Sequence, residues 1–270
     1  MRRFNRLFSN NVWRAVFFII KISDICLVSE NYQLRYSMLY AKLSYGGERF
    51  LMLKIVVFDS GYGGELFADY LEEELPIVEV IRVIDWRNTD KILGSSKTAR
   101  RAAIDALRPY IGKVDLIVFA NYLLSLTSLK YFKRKYKNQK FLGLELEEPS
   151  TFIKYDTLIL TTKAVAGTIS FHNFIFRLKR KTKTLTFDDW IPKIDDGELD
   201  FSEIREKILV PLLSQDFHPK EIVLGCSQFS DIKLDLQKVF PSSVKIYDNF
   251  PSLIRRVQKT LNIRGGNTRG

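Results

Sequence analysis

Residues 222–231, IVLGCSQFSD, run an apolar stretch into Gly225 and Cys226 and then turn polar at once. A thiol at the end of a buried strand suits acid/base or nucleophilic work, because open α/β sheets bind ligands outside the carboxyl ends of their strands. Such a thiol needs activation, since an ordinary cysteine is mostly protonated at neutral pH. Gly225 permits close backbone approach. Ser227 could open a helix whose N-terminus favours a thiolate. The alternative is a small buried residue kept for packing. Three further apolar runs end in polar or small residues: VFDSGYGG (57–64), FANY (119–122) and TTKAVAGT (161–168). Asp59 and Ser60 could hold a substrate amine or assist proton transfer; they could also simply cap a loop. Asn121 could hydrogen-bond a carboxylate or close a strand-end turn. Gly61, Gly63 and Gly64 lack the following Lys-Ser/Thr of a phosphate-binding P-loop, so they fit a turn with close backbone approach.

The remaining chemistry is sparse. Cys26 and Cys226 are the only cysteines and His172 and His218 the only histidines, all far apart, so neither a disulfide framework nor a metal site is expected. Two cysteines in 270 residues fit a reducing, cytoplasmic setting. The formal net charge is +11, of which residues 1–50, with eight Lys/Arg against three Asp/Glu, hold +5. The +6 left over is no argument for nucleic acid. The runs KYFKRKYK (130–137) and RLKRKTK (177–183) interleave basic and aromatic residues but read as solvated helix faces. Nucleic acid is not an expected partner.

The first fifty residues stand apart. VWRAVFFII (12–20) follows Arg2, Arg3 and Arg6 like the start of a signal peptide. It is too short to span a bilayer, and Arg14, Lys21 and Asp24 interrupt it. No membrane span is expected, and a surface anchor is the functional alternative. Met52 directly precedes a strong strand, and Gly47-Glu48 could be encoded by a purine-rich ribosome-binding run. Residues 1–51 are therefore expected to be a non-native extension, with translation starting at Met52.

The elements that must position these residues alternate. Strands are expected at 54–59, 78–85, 114–121, 140–146, 157–162, 221–226 and 244–249. Helices are expected at 64–75, 97–111, 126–137, about 167–179, about 202–214 and 251–262. Continuous β-branched runs between helices indicate mostly parallel sheets covered on both faces. IVVFDSG and LILTTKA each open a half, and LIVFANY and IVLGCSQ follow each at about sixty residues. The fold class is α/β: two pseudo-symmetric lobes with a ligand cleft between them. The first lobe spans 52–148, completed by 230–270, and the second spans 149–229.

VFDSGYGG resembles the opening signature of glutamate racemases and of the wider aspartate/glutamate racemase superfamily. The resemblance continues through LGSSK (93–97), FANY, TTKAVAGT, WIPKIDDGELD (190–200) and LGCSQF (224–229), along nearly all of 52–270. It implies cofactor-free proton chemistry at the α-carbon of glutamate or a related acidic amino acid. Two cysteines on opposite faces would carry it, with self-association into dimers. Carried over residue by residue, it makes Cys226 and Asp59 catalytic, and Ser60, Gly94, Asn121, Tyr122, Thr162, Ser227 and Gln228 substrate-binding. Neither a cofactor nor a metal is implied.

The departures fall where the chemistry lies. Ala120 occupies the first cysteine position, Tyr122 replaces a small threonine, Gln228 replaces a histidine, Leu93 replaces a tyrosine and Val165 a threonine. A positioned acid/base group typically contributes about 10²–10⁴-fold, so two-base racemisation is expected to be impaired. Three functions remain open. One is a racemase using Asp59, Tyr122 or water as the second base. Another is a one-cysteine enzyme resembling arylmalonate decarboxylase of the same superfamily. The third is an inactive ligand- or partner-binding homologue.

Overall fold

In the computed structural model the described residues are 52–89, 95–146 and 155–263. Residues 1–51, expected as an extension, and Leu93 and Gly94 lie outside them.

Two four-stranded parallel sheets repeat one pattern. The first contains β1 (Leu53–Asp59), β2 (Val78–Ile84), β3 (Leu116–Phe119) and β4 (Phe141–Gly143) in the order β2-β1-β3-β4. The second contains β5 (Thr157–Thr161), β6 (Thr182–Thr186), β7 (Glu221–Leu224) and β8 (Lys245–Tyr247) in the order β6-β5-β7-β8. β1 and β5 therefore hold equivalent places, as do β3 and β7, and the expected pseudo-repeat is present. Ile55, Val56, Val57 and Phe58 of β1 are wholly buried, as are Leu158, Ile159 and Leu160 of β5. Apolar residues at successive positions fill both faces of each strand, which is why these strands read as continuous runs.

The connecting helices in chain order are α1 (Tyr62–Glu74), α2 (Ser96–Leu107), α3 (Tyr122–Lys135), α4 (Lys163–Ala166), α5 (Ile169–Leu178), α6 (Trp190–Asp196), α7 (Phe201–Leu213), α8 (Lys233–Val239) and α9 (Phe250–Leu261). Side chains of Ser95, Asn121, Thr162, Thr168 and Asp200 accept backbone N–H groups at the starts of α2, α3, α4, α5 and α7.

Two boundaries differ from expectation. β8 pairs in parallel with β7, Glu221 opposite Lys245, so 230–249 does not complete the first lobe. Among the described residues of 230–270 it is α9 that returns there: Phe250 meets Phe67 edge-on at 5.2 Å, and Arg256 donates to the carbonyl of Gly143 at 2.9 Å. The run 177–183 is not a solvated helix face either. α5 ends at Leu178, Lys179 turns left-handed, and the chain enters edge strand β6. Arg180, in the middle of that run, is buried against Glu221 at 2.6 Å.

Candidate functional site at the paired strand ends

The order of each sheet reverses beside its first strand, so β1 and β3 open one crevice and β5 and β7 another. Asp59 ends β1 and Asn121 follows β3; Thr161 ends β5 and Cys226 follows β7. The two crevices face each other. At Gly63 in α1 an added Cβ would stand 2.0 Å from Ser227 Oγ, and at Gly61 one would stand 3.0 Å from Gln228 Nε2. These glycines let the first turn of α1 lie directly on the segment after β7. Gly225 instead lets the end of β7 lie close against Thr161 of β5, whose hydroxyl donates to its carbonyl at 2.9 Å.

Six of the expected site residues form one hydrogen-bonded set. Asp59 Oδ1 accepts from the Ser60 backbone N–H at 2.6 Å and from Asn121 Nδ2 at 2.8 Å. Asn121 reaches Ser60 Oγ at 3.4 Å, and its own oxygen caps α3 through the Leu124 N–H at 2.9 Å. Ser227 Oγ lies between the lobes, 3.5 Å from Asp59 Oδ2 and 3.3 Å from Gln228 Oε1. The Cys226 thiol donates to that same Gln228 oxygen at 3.1 Å. A continuous polar line thus runs from the first-lobe carboxyl to the second-lobe thiol.

Burial sets the protonation states. Asp59 is buried, and loss of water pushes its carboxyl up to about 6. Hydrogen bonds from Asn121, the Ser60 N–H and Ser227 pull it back down, and the carboxylate of Asp195 adds a further push upward. Burial likewise pushes the Cys226 thiol up to about 12. The backbone N–H groups of Gln228 and Phe229 oppose the shift, and the charges of Asp59 and Asp195 reinforce it. Cys226 is therefore a neutral thiol at neutral pH. Behind it lies an aromatic wall, in which Trp190 stacks on Phe187 at 3.9 Å and meets Phe229 edge-on at 5.9 Å.

Other expected residues make their hydrogen bonds outside that set. Tyr122 is buried, and its hydroxyl donates to the Leu224 carbonyl at 3.1 Å and accepts from Asn249 Nδ2. Its ring packs in a core with Leu142, Leu144, Val165 and Val223, joining α3 to β7. Thr162 caps α4 by accepting the Val165 N–H at 3.3 Å. Ala120 is wholly buried. His172 is exposed, and His218 is exposed and pairs with Asp216 at 2.9 Å. Among the described residues no group of three or more His, Cys, Asp or Glu is placed to hold a metal ion, and no helix is long and apolar enough to cross a membrane.

Sequence reasoning missed two residues. Asp195 of α6 faces the site closely enough for its charge to act on both Asp59 and Cys226. The acidic segment 190–200 was the available signal, but sequence alone does not choose among its acids. Asn249, buried at the start of α9, holds the Tyr122 hydroxyl.

No family model matches the chain. Glutamate racemase of Prochlorococcus marinus (strain NATL2A) is 24% identical over 221 residues, covering 80% of this chain and 82% of that protein. Among solved structures, Escherichia coli glutamate racemase in complex with L-glutamate and its activator superposes with a TM-score of 0.68 at 20% identity. It covers 81% of this chain and 86% of the other. The Francisella tularensis glutamate racemase in complex with D-glutamate gives 0.63 at 16%, covering 81% and 84%. In sequence and in fold the chain thus resembles the aspartate/glutamate racemase superfamily, and glutamate racemase most.

Proposed function

We propose that this is a glutamate-racemase-like protein that takes glutamate or a related acidic amino acid at the paired strand ends and does not perform two-base racemisation. The carrying observation is the pairing of a thiol with a side chain that cannot titrate: Cys226, the one cysteine among the described residues, donates to Gln228, while Ala120, which the resemblance aligns with a second cysteine, is a buried methyl. Inversion at a carbon requires one group to take a proton from one face and another to return one from the opposite face. A methyl group can do neither, and Gln228 cannot draw the proton from Cys226 as an imidazole could.

Groups suited to recognition remain. Asp59 offers a carboxylate to an ammonium group, and Asn121, Ser60 and Ser227 offer hydrogen bonds to a carboxylate. The L- and D-glutamate bound by the two relatives support this ligand class. The reading calls for no cofactor, and a cytoplasmic location and self-association into a dimer go with it; light scattering would read the latter. Titration calorimetry of the full chain with L- and D-glutamate tests binding. Saturable heat, weakened at least tenfold by Ser60→Ala with Asn121→Ala, is expected; no saturable heat with glutamate or aspartate would overturn the reading.

The neutral thiol favours one second reading. It is in the right state to give a proton to a carbanion formed by loss of carboxylate from a related acid, on one face only. Asp59, pushed up to about 6, exchanges protons readily near neutrality.

A further inference from the structure

Residues 95–140 hold eleven Lys/Arg against Asp105 and Asp115, a net +9, so the rest of the chain from Met52 onward nets −3. The fold brings the two helices of this stretch side by side. Arg100 of α2 donates to the Thr127 carbonyl of α3 at 3.2 Å and lies 5.2 Å above the ring of Tyr131. Lys135 stands over the same ring at 5.5 Å and over Tyr136 at 5.3 Å. On the outward sides of the two helices and just beyond α3, Lys97, Arg101, Lys130, Lys133, Arg134 and Lys137 are exposed, and none of the six is ion-paired to a carboxylate among the described residues. Arg108 pairs locally with Asp105.

We infer that the α2/α3 face docks the phosphodiester backbone of nucleic acid. In sequence the run 130–137 read as a solvated helix face, because the +6 of residues 52–270 averages an excess of +9 over 95–140 with a deficit of −3 elsewhere. Phosphates repeat at short intervals along a strand and release counterions when lysines and arginines replace them, so a dense patch of unpaired cations is the matching footprint. Tyr131 and Tyr136 supply rings among the cations, as surfaces that track single strands do. A lipid surface is a poorer match. The exposed large apolar side chains that would insert, such as Ile169, Phe176, Val210, Leu213 and Leu234, all lie outside 95–146. The cations at 130–137 lie at and beyond the C-terminal end of α3, away from Asn121 at its start, so the inference does not rest on the proposed ligand chemistry.

The test is fluorescence anisotropy of the full chain with labelled single-stranded RNA and duplex DNA of about 20 nucleotides, across roughly 50–300 mM KCl. A quadruple variant, Lys130→Gln, Lys133→Gln, Arg134→Gln and Lys137→Gln, is compared with a control carrying Lys163→Gln, Lys181→Gln, Lys220→Gln and Lys245→Gln. Binding to at least one nucleic acid is expected, with a log affinity that falls linearly with log salt. The quadruple variant should bind more than tenfold more weakly, its slope reduced by about one for each phosphate that is no longer neutralised; the control should bind like the parent. No binding at about 50 mM KCl, or equal weakening in the control, would overturn the inference. Sedimentation with vesicles containing phosphatidylserine in the absence of oligonucleotide binding would overturn it too, assigning the face to lipid.

Discussion

The Cys226 thiol donates to the side-chain oxygen of Gln228 at 3.1 Å, two residues along the chain. The same oxygen receives Ser227, which leans toward Asp59. An acceptor that cannot titrate leaves the thiol its proton, and burial does the rest.

Replacing that acceptor by one that can titrate should release the proton. In Gln228→His the imidazole stands where it can take it, forming a thiolate–imidazolium pair. The midpoint of thiolate absorbance against pH, pushed up to about 12 in the parent, should fall by at least one pH unit. Iodoacetamide alkylation at neutral pH should quicken about tenfold. An unchanged midpoint would mean that burial alone sets the proton.

Asp59 makes a prediction with a definite sign. Its folded-state pKa is raised to about 6, so the stability tied to its proton is present at low pH and lost as pH rises from 3.8 through 6. Asp59→Asn keeps an oxygen for Ser60 and Asn121 and removes the buried charge. Denaturant unfolding should show it gaining on the order of 2–3 kcal/mol over the parent at about pH 7.5, relative to the difference at about pH 4. A gain that does not change with pH would contradict the burial of an ionised carboxylate.

Gly63→Ala tests the approach of the two lobes. The added methyl would meet Ser227 Oγ at 2.0 Å and its Cβ at 2.5 Å, so α1 and the segment after β7 must part. A loss of about 1–3 kcal/mol is expected from the overpacking, together with weaker glutamate binding. Gly112→Ala, whose site is open but left-handed, should lose stability without touching ligand affinity.

Arg180 and Glu221 form a pair with 2% and 0% of their side chains exposed. Glu221→Gln leaves the guanidinium without its countercharge inside the second lobe. About 3–5 kcal/mol should be lost in thermal or denaturant unfolding. A loss below about 1 kcal/mol would mean that water reaches the pair.

Much of the fold was legible because buried parallel strands need unbroken apolar runs, and KIVVFD, LIVF and EIVL announce themselves. β6 was not legible. Its sequence TKTLT is half-exposed at a sheet edge, where threonine and lysine serve as well as valine, so it read as the tail of a basic helix. The sheet that receives β8 was illegible for another reason: three residues, KIY, carry no information about which neighbour they will pair with. In the site, strand ends bearing polar residues located Asp59, Asn121 and Cys226. That the Tyr122 hydroxyl turns to Leu224 and Asn249 was not legible, because side-chain direction at the start of a helix is decided by tertiary packing. Asp195 was passed over because its closeness to Asp59 exists only once the lobes meet.

Whether one thiol can act on both faces of the α-carbon is read from the α-proton itself. L- and D-glutamate are incubated separately in D₂O with the full chain and with Cys226→Ala, and loss of the α-proton signal and enantiomeric composition are followed by NMR and chiral chromatography. Neither enantiomer should be converted into the other, and any exchange should be confined to one enantiomer, retain configuration and disappear in Cys226→Ala. Exchange of both enantiomers with inversion, abolished in that variant, would contradict the one-thiol reading and place a second proton-transfer group opposite Cys226.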